Sequence, residues 1–331
     1  MTEHVAERDA PRAAGHLKHG LLSAAVLTVL GAGAVASVPD LAELRERVAS
    51  AAPGWIALAV ALELLSCWSF VHTFRLVFPC ITPRDSARIA WSEMAFGAVV
   101  PAGGAGGLAA GAWILHVKGL SLRDAAERSA VLFLLTSAVN AVVLAAAGFA
   151  VAAHVLPGPR PFLLGFVPAS VAVLGVAGFV LLARPLPVWL RDRPRLGRWA
   201  SVTGRAVRRT QAVVRSGDWR LTAAGGYLLF DIAVLWACFE AFGASPLAGP
   251  LVLAYQIGYL ANLLPIPGGV GVLDGGMIGA LLLYGAPAAP TAAAVLSYHA
   301  IALWIPALIG TARFALLRRT LYEPLPGASC A

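Results

Sequence analysis

Charge is scarce in this chain: only 13% of its 331 residues are Asp, Glu, Lys or Arg, and long stretches carry none at all. With 59% apolar residues, a water-soluble domain of this size would leave those stretches uncovered, so the solvent for most of the chain is lipid. The long apolar runs do not alternate, which excludes barrel strands. Crossing about 30 Å of hydrocarbon takes about 20 helical residues, because only a helix or a closed barrel satisfies its own backbone polar groups there. Cysteine is also sparse, and Cys67, Cys80, Cys238 and Cys330 lie far apart with no CxxC pair, so neither a metal motif nor a disulfide framework is expected. Cys330 stands next to last, which excludes the prenylation motif. Missing too are a Walker loop, HExxH, GxSxG and any run of paired acids of the kind that holds a metal in nucleotide-sugar enzymes. No catalytic residue, metal site or cofactor is expected.

The net charge of +8 does not point to nucleic acid, because the positive residues gather at the ends of apolar segments and in one loop, without interleaved aromatics. Full spans are predicted at 20–38, 53–78, 124–153, 161–183, 219–242 and 290–317. Residues 20–38 follow Arg8, Arg12 and Lys18 and end in small residues, as a signal peptide does. The later spans fit better if this first helix is retained. The stretch 184–219 is the most basic of the chain, with nine arginines from Arg184 to Arg215, and Arg220 just beyond, against Asp192 and Asp218. The positive-inside rule makes it cytoplasmic, lying against anionic lipid, and alternate counting then places both termini inside a plasma membrane. The expected organisation is a tail at 1–19, one integral membrane domain at 20–317 containing the basic loop, and a tail at 318–331.

Two apolar stretches, 84–118 and 249–286, are broken in their middles by Pro and Gly. The first break reads PAGGAGG from Pro101 to Gly107, the second PIPGGVG from Pro265 to Gly271. An arm of about 15 residues reaches about 23 Å, short of a comfortable crossing, so each stretch is predicted to be a re-entrant helical hairpin. By topology the two hairpins enter from opposite sides, and FGAVV before PxGGxG answers LANLL before PxPGGxG. Broken helices in corresponding places of two inverted halves mark a transporter's binding site near the bilayer midplane. The expected fold class is all-α, a polytopic bundle of about six spans and two broken hairpins in an inverted repeat.

Irregular backbone at membrane depth must line protein or a wet cavity, and each tip opens a half-helix whose free N–H groups and positive dipole end suit a phosphate or carboxylate. Gly103, Gly104, Gly106, Gly107, Gly268, Gly269 and Gly271 would let a bulky head group approach the backbone. Close helix packing through small residues is the other use of such glycines. Asp274 falls in the first turn of the second half-helix and Asp231 near the centre of the fifth span. A carboxylate at that depth is paired, protonated or facing water, so both are candidates for charge coupling. His299, ten residues into the last span, and Arg128, at the start of the third, are candidate phosphate contacts. For Arg128 a local salt bridge with Asp124 or Glu127 is the alternative. Glu63, Arg75 and Glu93 are expected to snorkel to an interface.

The segments AFGAVVPAGGAGGLAAGAWILHVKGLSLRDAAERSAVLFLLTSAVN and ANLLPIPGGVGVLDGGMIGALLLYGAPAAPTAAAVLSYHAIALWIPALIGTARF resemble the lysylphosphatidylglycerol synthase transmembrane-region family. The resemblance covers roughly residues 20 to 320 and implies about eight helical segments. By analogy with the membrane domain of the bacterial multiple peptide resistance factor, it implies movement of lipid between leaflets. The family commonly has Glu where this chain has Asp274 and Arg where it has His299, so the carboxylate reaches less far and a fixed cation is replaced by a titratable ring. The soluble aminoacyl-transferase domain of full-length synthases has no counterpart here, so synthesis is expected of a partner transferase. A flippase for a membrane phospholipid or polyprenyl-phosphate lipid is the expected function. A membrane-embedded enzyme, or an accessory to lipid glycosylation, is the alternative.

Overall fold

The computed structural model describes residues 14–15, 17–23, 25–26, 50–100, 104–182, 194–260 and 272–323, and among these every regular element is helical. Five helices are long and apolar enough to cross a membrane: Pro53–Val77, Leu122–Ala152, Phe162–Leu181, Leu221–Ala241 and Ala288–Thr320. They coincide with five of the six predicted spans. Most of the sixth, 20–38, lies outside the described residues. The helical residues 17–23 before it bury Leu17 and bring Gly20 against the backbone of Val99, where a Cβ would come within 2.5 Å of the carbonyl oxygen.

We number the helices α1 (Pro53–Val77), α2 (Pro83–Val99), α3 (Gly104–Val117), α4 (Leu122–Ala152), α5 (Val167–Leu182), α6 (Pro194–Arg215), α7 (Leu221–Ala241), α8 (Ala248–Leu260), α9 (Val272–Leu283) and α10 (Ala288–Leu317). Local chemistry sets the boundaries. Thr82 caps α2, accepting from the Asp85 N–H at 3.2 Å, with Pro83 at the first helical position, where its missing N–H is no loss. Ser121 caps α4 through the Asp124 N–H at 3.0 Å. Between α3 and α4 the chain turns through Gly119 at φ 100°, and α9 ends at Gly285 at φ 87°, both in the left-handed region that suits glycine.

The inverted repeat is visible in how the helices pair. α1 and α7 run antiparallel along their whole length: the Ala52 N–H donates to the Ala241 carbonyl at 2.8 Å and the Ser66 hydroxyl to the Tyr227 carbonyl at 2.8 Å. At the far end an Arg220 Nη donates to the Arg75 carbonyl at 3.5 Å. α2 packs on α10 and α8 packs on α4, so each hairpin lies against the long helix that follows the other hairpin. Both feet of the α2–α3 hairpin stand at the end of the bundle that carries Arg220, where Lys118 Nζ donates to the carbonyls of Thr320 and Glu323 at 2.9 and 3.2 Å. The α8–α9 hairpin stands at the opposite, charge-poor end. There Gly249 meets Val151 and Pro157, and the Tyr284 hydroxyl donates to the Leu164 carbonyl at 2.7 Å. α8 and α9, with 13 and 12 residues, reach about 20 and 18 Å, too short to cross.

Two features go beyond the sequence reading. Within the basic stretch 184–219, α6 occupies much of the length and docks on α4. The buried Glu127 carboxylate receives Arg123 at 3.2 Å, Arg205 at 3.1 Å and Arg209 at 3.3 Å. Cys80 is disulfide-bonded, because cysteines distant in sequence can meet in the fold and spacing alone does not exclude it. Just beyond α6, Arg220 forks onto Asp218 at 2.6 Å and holds that exposed carboxyl below its ordinary value of 3.8. Glu127→Ala removes the one carboxylate shared by three arginines and is expected to release α6. Charge-assisted bonds of this kind are worth roughly 1.5–3 kcal/mol, and the half-exposed arginines make the effect smaller at high salt. Limited proteolysis within 194–215, with and without salt, measures it.

Candidate functional site

Between the two halves lies a cavity of about 1270 Å³. One side is mostly apolar, built by Leu132, Phe133 and Leu144 of α4 and Val176 and Phe179 of α5, with Thr136, Ser137 and Asn140 of α4 also lining it. The other is polar, built by Glu63 of α1, Glu93 of α2, Asp231 of α7, Gln256 of α8 and Tyr298 and His299 of α10. Thr210, Gln211 and Arg215 of α6 line its end toward the basic face. The division follows from the helices themselves. α5 touches mainly α4 and α6 and is apolar all round, whereas α1, α7 and α10 each carry a polar side chain on the face that turns inward.

Glu63 and Glu93 do not snorkel. Each is only 4% exposed, ten residues into its helix and about 15 Å from the helix start, too deep for its side chain to reach an interface. Depth was the available signal, and a count along each helix finds it. Glu63 Oε1 accepts from the Cys67 thiol at 3.3 Å. Across the antiparallel pair stands Asp231, whose Oδ2 accepts from the hydroxyls of Tyr255 and Tyr298, the latter at 3.2 Å. As carboxylates, Glu63 Oε2, Glu93 Oε2 and Asp231 Oδ1 lack donors, and so does Gln256 Nε2 lack an acceptor. Room for the Glu93 side chain comes from Gly111 on α3, where any Cβ would collide with the carboxylate.

Asp274 and His299, 25 residues apart, are joined: Nδ1 of the ring lies 2.5 Å from Oδ1 of the carboxylate, and both side chains are about nine-tenths buried. Asp274 sits in the first turn of α9 as the sequence implies, and its carboxylate ties that half-helix to α10. Of the other sequence candidates, Gly107 lines the cavity, and it also serves packing. A Cβ there would fall 2.6 Å from the Glu93 carbonyl and 3.2 Å from the Gly97 Cα, so its missing side chain lets α2 and α3 cross closely. Gly104 and Gly106 lie at the start of α3. Arg128 donates to the Val77 carbonyl at 2.9 Å, at the end of α1, and is not among the cavity-lining residues. Gly103, Gly268, Gly269 and Gly271 lie outside the described residues. The sequence had offered no reason to single out Tyr255, Tyr298 and Gln256.

The family model described as lysylphosphatidylglycerol synthase TM region matches residues 20–310, which takes in every helix described here except the last residues of α10. The chain belongs to that family. It is also similar to a UPF0104 membrane protein of Methanothermobacter thermautotrophicus, with 37% identity over 86 residues, 26% of this chain and 24% of that relative. The match thus spans about a quarter of the relative's length. All the polar residues of the cavity fall inside the lysylphosphatidylglycerol synthase TM region match.

Proposed function

We propose that the protein is a lipid transporter of the cell membrane that moves a phosphate-bearing lipid between leaflets, with the basic end and both termini on the cytoplasmic side. One observation carries this: a cavity large enough for a head group is apolar along α5 and gathers its acids along α1, α2 and α7, beside Gln256 of α8 and Tyr298 of α10, so it offers an amphiphile both kinds of surface. Acyl or prenyl chains pass along the apolar wall while the head group follows the polar one. The family's name, taken from a lipid-modifying enzyme, supports a lipid substrate.

The carboxyls set a condition on the head group. Glu63, Glu93 and Asp231 offer a phosphate no cation, so the head group presents amine or hydroxyl groups to them and its phosphate turns toward Arg215. A second cavity of about 670 Å³, at the charge-poor end between α7, α8, α9 and α10, shares no lining residue with the first. Separate cavities at the two ends support alternating access by rocking of inverted halves. Leaflet-resolved assays of the purified protein in liposomes, across a panel of phospholipids and polyprenyl phosphates, test the proposal. Head-group-selective movement supports it. Covalent change of the lipid by mass spectrometry would favour an enzyme instead, and unassisted rates with every lipid would refute transport.

A further inference from the structure

Glu63 and Asp231 face one another midway along the antiparallel α1–α7 pair. Their surroundings are Cys67 on α1, Tyr227 on α7, Tyr255 and Tyr259 on α8, Tyr298 and His299 on α10, and Glu93 on α2. None is a lysine or arginine. Arg215 of α6 lines the same cavity at its end toward the basic face, and the His299 ring is bonded to Asp274. We propose that Glu63 and Asp231 together form a proton-binding site that couples lipid movement to proton movement across the membrane. The inference rests on the transporter function proposed above.

A donor count favours the proton. Asp231 Oδ2 takes two phenol hydroxyls and Glu63 Oε1 takes the Cys67 thiol, which leaves Glu63 Oε2 and Asp231 Oδ1 without donors. One proton between the two carboxyls satisfies both oxygens. A hard metal cation takes about six oxygen ligands, and the pair offers two. The same cavity holds three more buried atoms awaiting a partner: Gln256 Nε2 and Glu93 Oε2, each on a residue only 4% exposed, and Asn140 Oδ1 of α4. These point to a ligand or water beside the pair, which also gives the proton its route. The carboxyl pair accepts a proton from hydronium when the cavity faces one side and returns it to water when the cavity faces the other, so only O–H bonds form and break.

Two readouts on the full chain in liposomes test the site. Infrared difference spectra across a pH series are expected to show a carboxyl band that is lost in Glu63→Gln and in Asp231→Asn but kept in Glu240→Gln, whose carboxylate accepts from Ser245 at the charge-poor end. Either cavity variant alone decides should the other fail to fold. With a pH difference of one unit imposed, the final leaflet distribution of a transported lipid is expected to shift about tenfold for one proton per lipid. A band that titrates and disappears in the variants while no lipid moves refutes transport and leaves the proton site standing. Lipid movement indifferent to the pH difference, dependence on sodium in its place, or a carboxyl band unchanged in both variants overturns the site.

Discussion

Gly310→Leu is expected to abolish stable folding or to lower the thermal midpoint by several degrees, while Gly279→Leu leaves it nearly unchanged. Gly310 sits where α10 crosses α2. A Cβ built there collides with the Trp91 carbonyl and comes within 2.6 Å of the Ala95 Cβ. Backbone cannot swing aside as a flexible side chain does, so the helices must part. With them goes a buried seam that includes Phe96 against Phe314, ring centroids 5.2 Å apart. Overpacking typically costs about 1–3 kcal/mol, and a clash with main chain belongs at or above the upper end. Gly279, on α9, has nothing within 4 Å of its Cβ position and serves as the control. Tryptophan fluorescence during thermal unfolding measures both.

Breaking the Asp274–His299 pair from either side is expected to cost about 1–3 kcal/mol, because each variant removes a buried hydrogen bond between α9 and α10. Asp274→Ala and His299→Ala should each destabilise the fold, and the double variant should cost clearly less than the sum. The coupling expected for groups in direct contact is about 0.5–3 kcal/mol. A double-mutant cycle by denaturant or thermal unfolding in detergent reads it. Additive costs would show that the two side chains act independently despite their 2.5 Å separation.

The periodic, local part of this fold was legible in the sequence. Spans such as 53–78 against Pro53–Val77, and 219–242 against Leu221–Ala241, follow from runs of apolar residues, and the Pro–Gly breaks announced both hairpins. Facts that depend on which helix meets which were not legible. Asp231 stood out because one acid at the centre of an apolar run is conspicuous. Glu63 did not, since the antiparallel pairing that sets it opposite Asp231 exists only once α1 and α7 are laid together. Arg128 was read either as a head-group contact or as a local salt-bridge partner, and neither reading foresaw that its guanidinium donates to the end of α1, a partner 51 residues away. The helix inside 184–219 was hidden by its arginines, which read as loop until Glu127 supplies their counter-charge.

The central claim is that the cavity between the halves is the path of the lipid, and filling it tests that most directly. Gly175 of α5 lines the cavity and has open space where its Cβ would stand, so Gly175→Trp starts from a site with room for a side chain and replaces a poor helix former. The measurement is leaflet-resolved lipid movement by this variant in proteoliposomes, beside the unaltered protein, with thermal unfolding to show that the fold holds. Loss of movement from a stable variant is the result expected. Unchanged movement with the cavity filled would contradict the account.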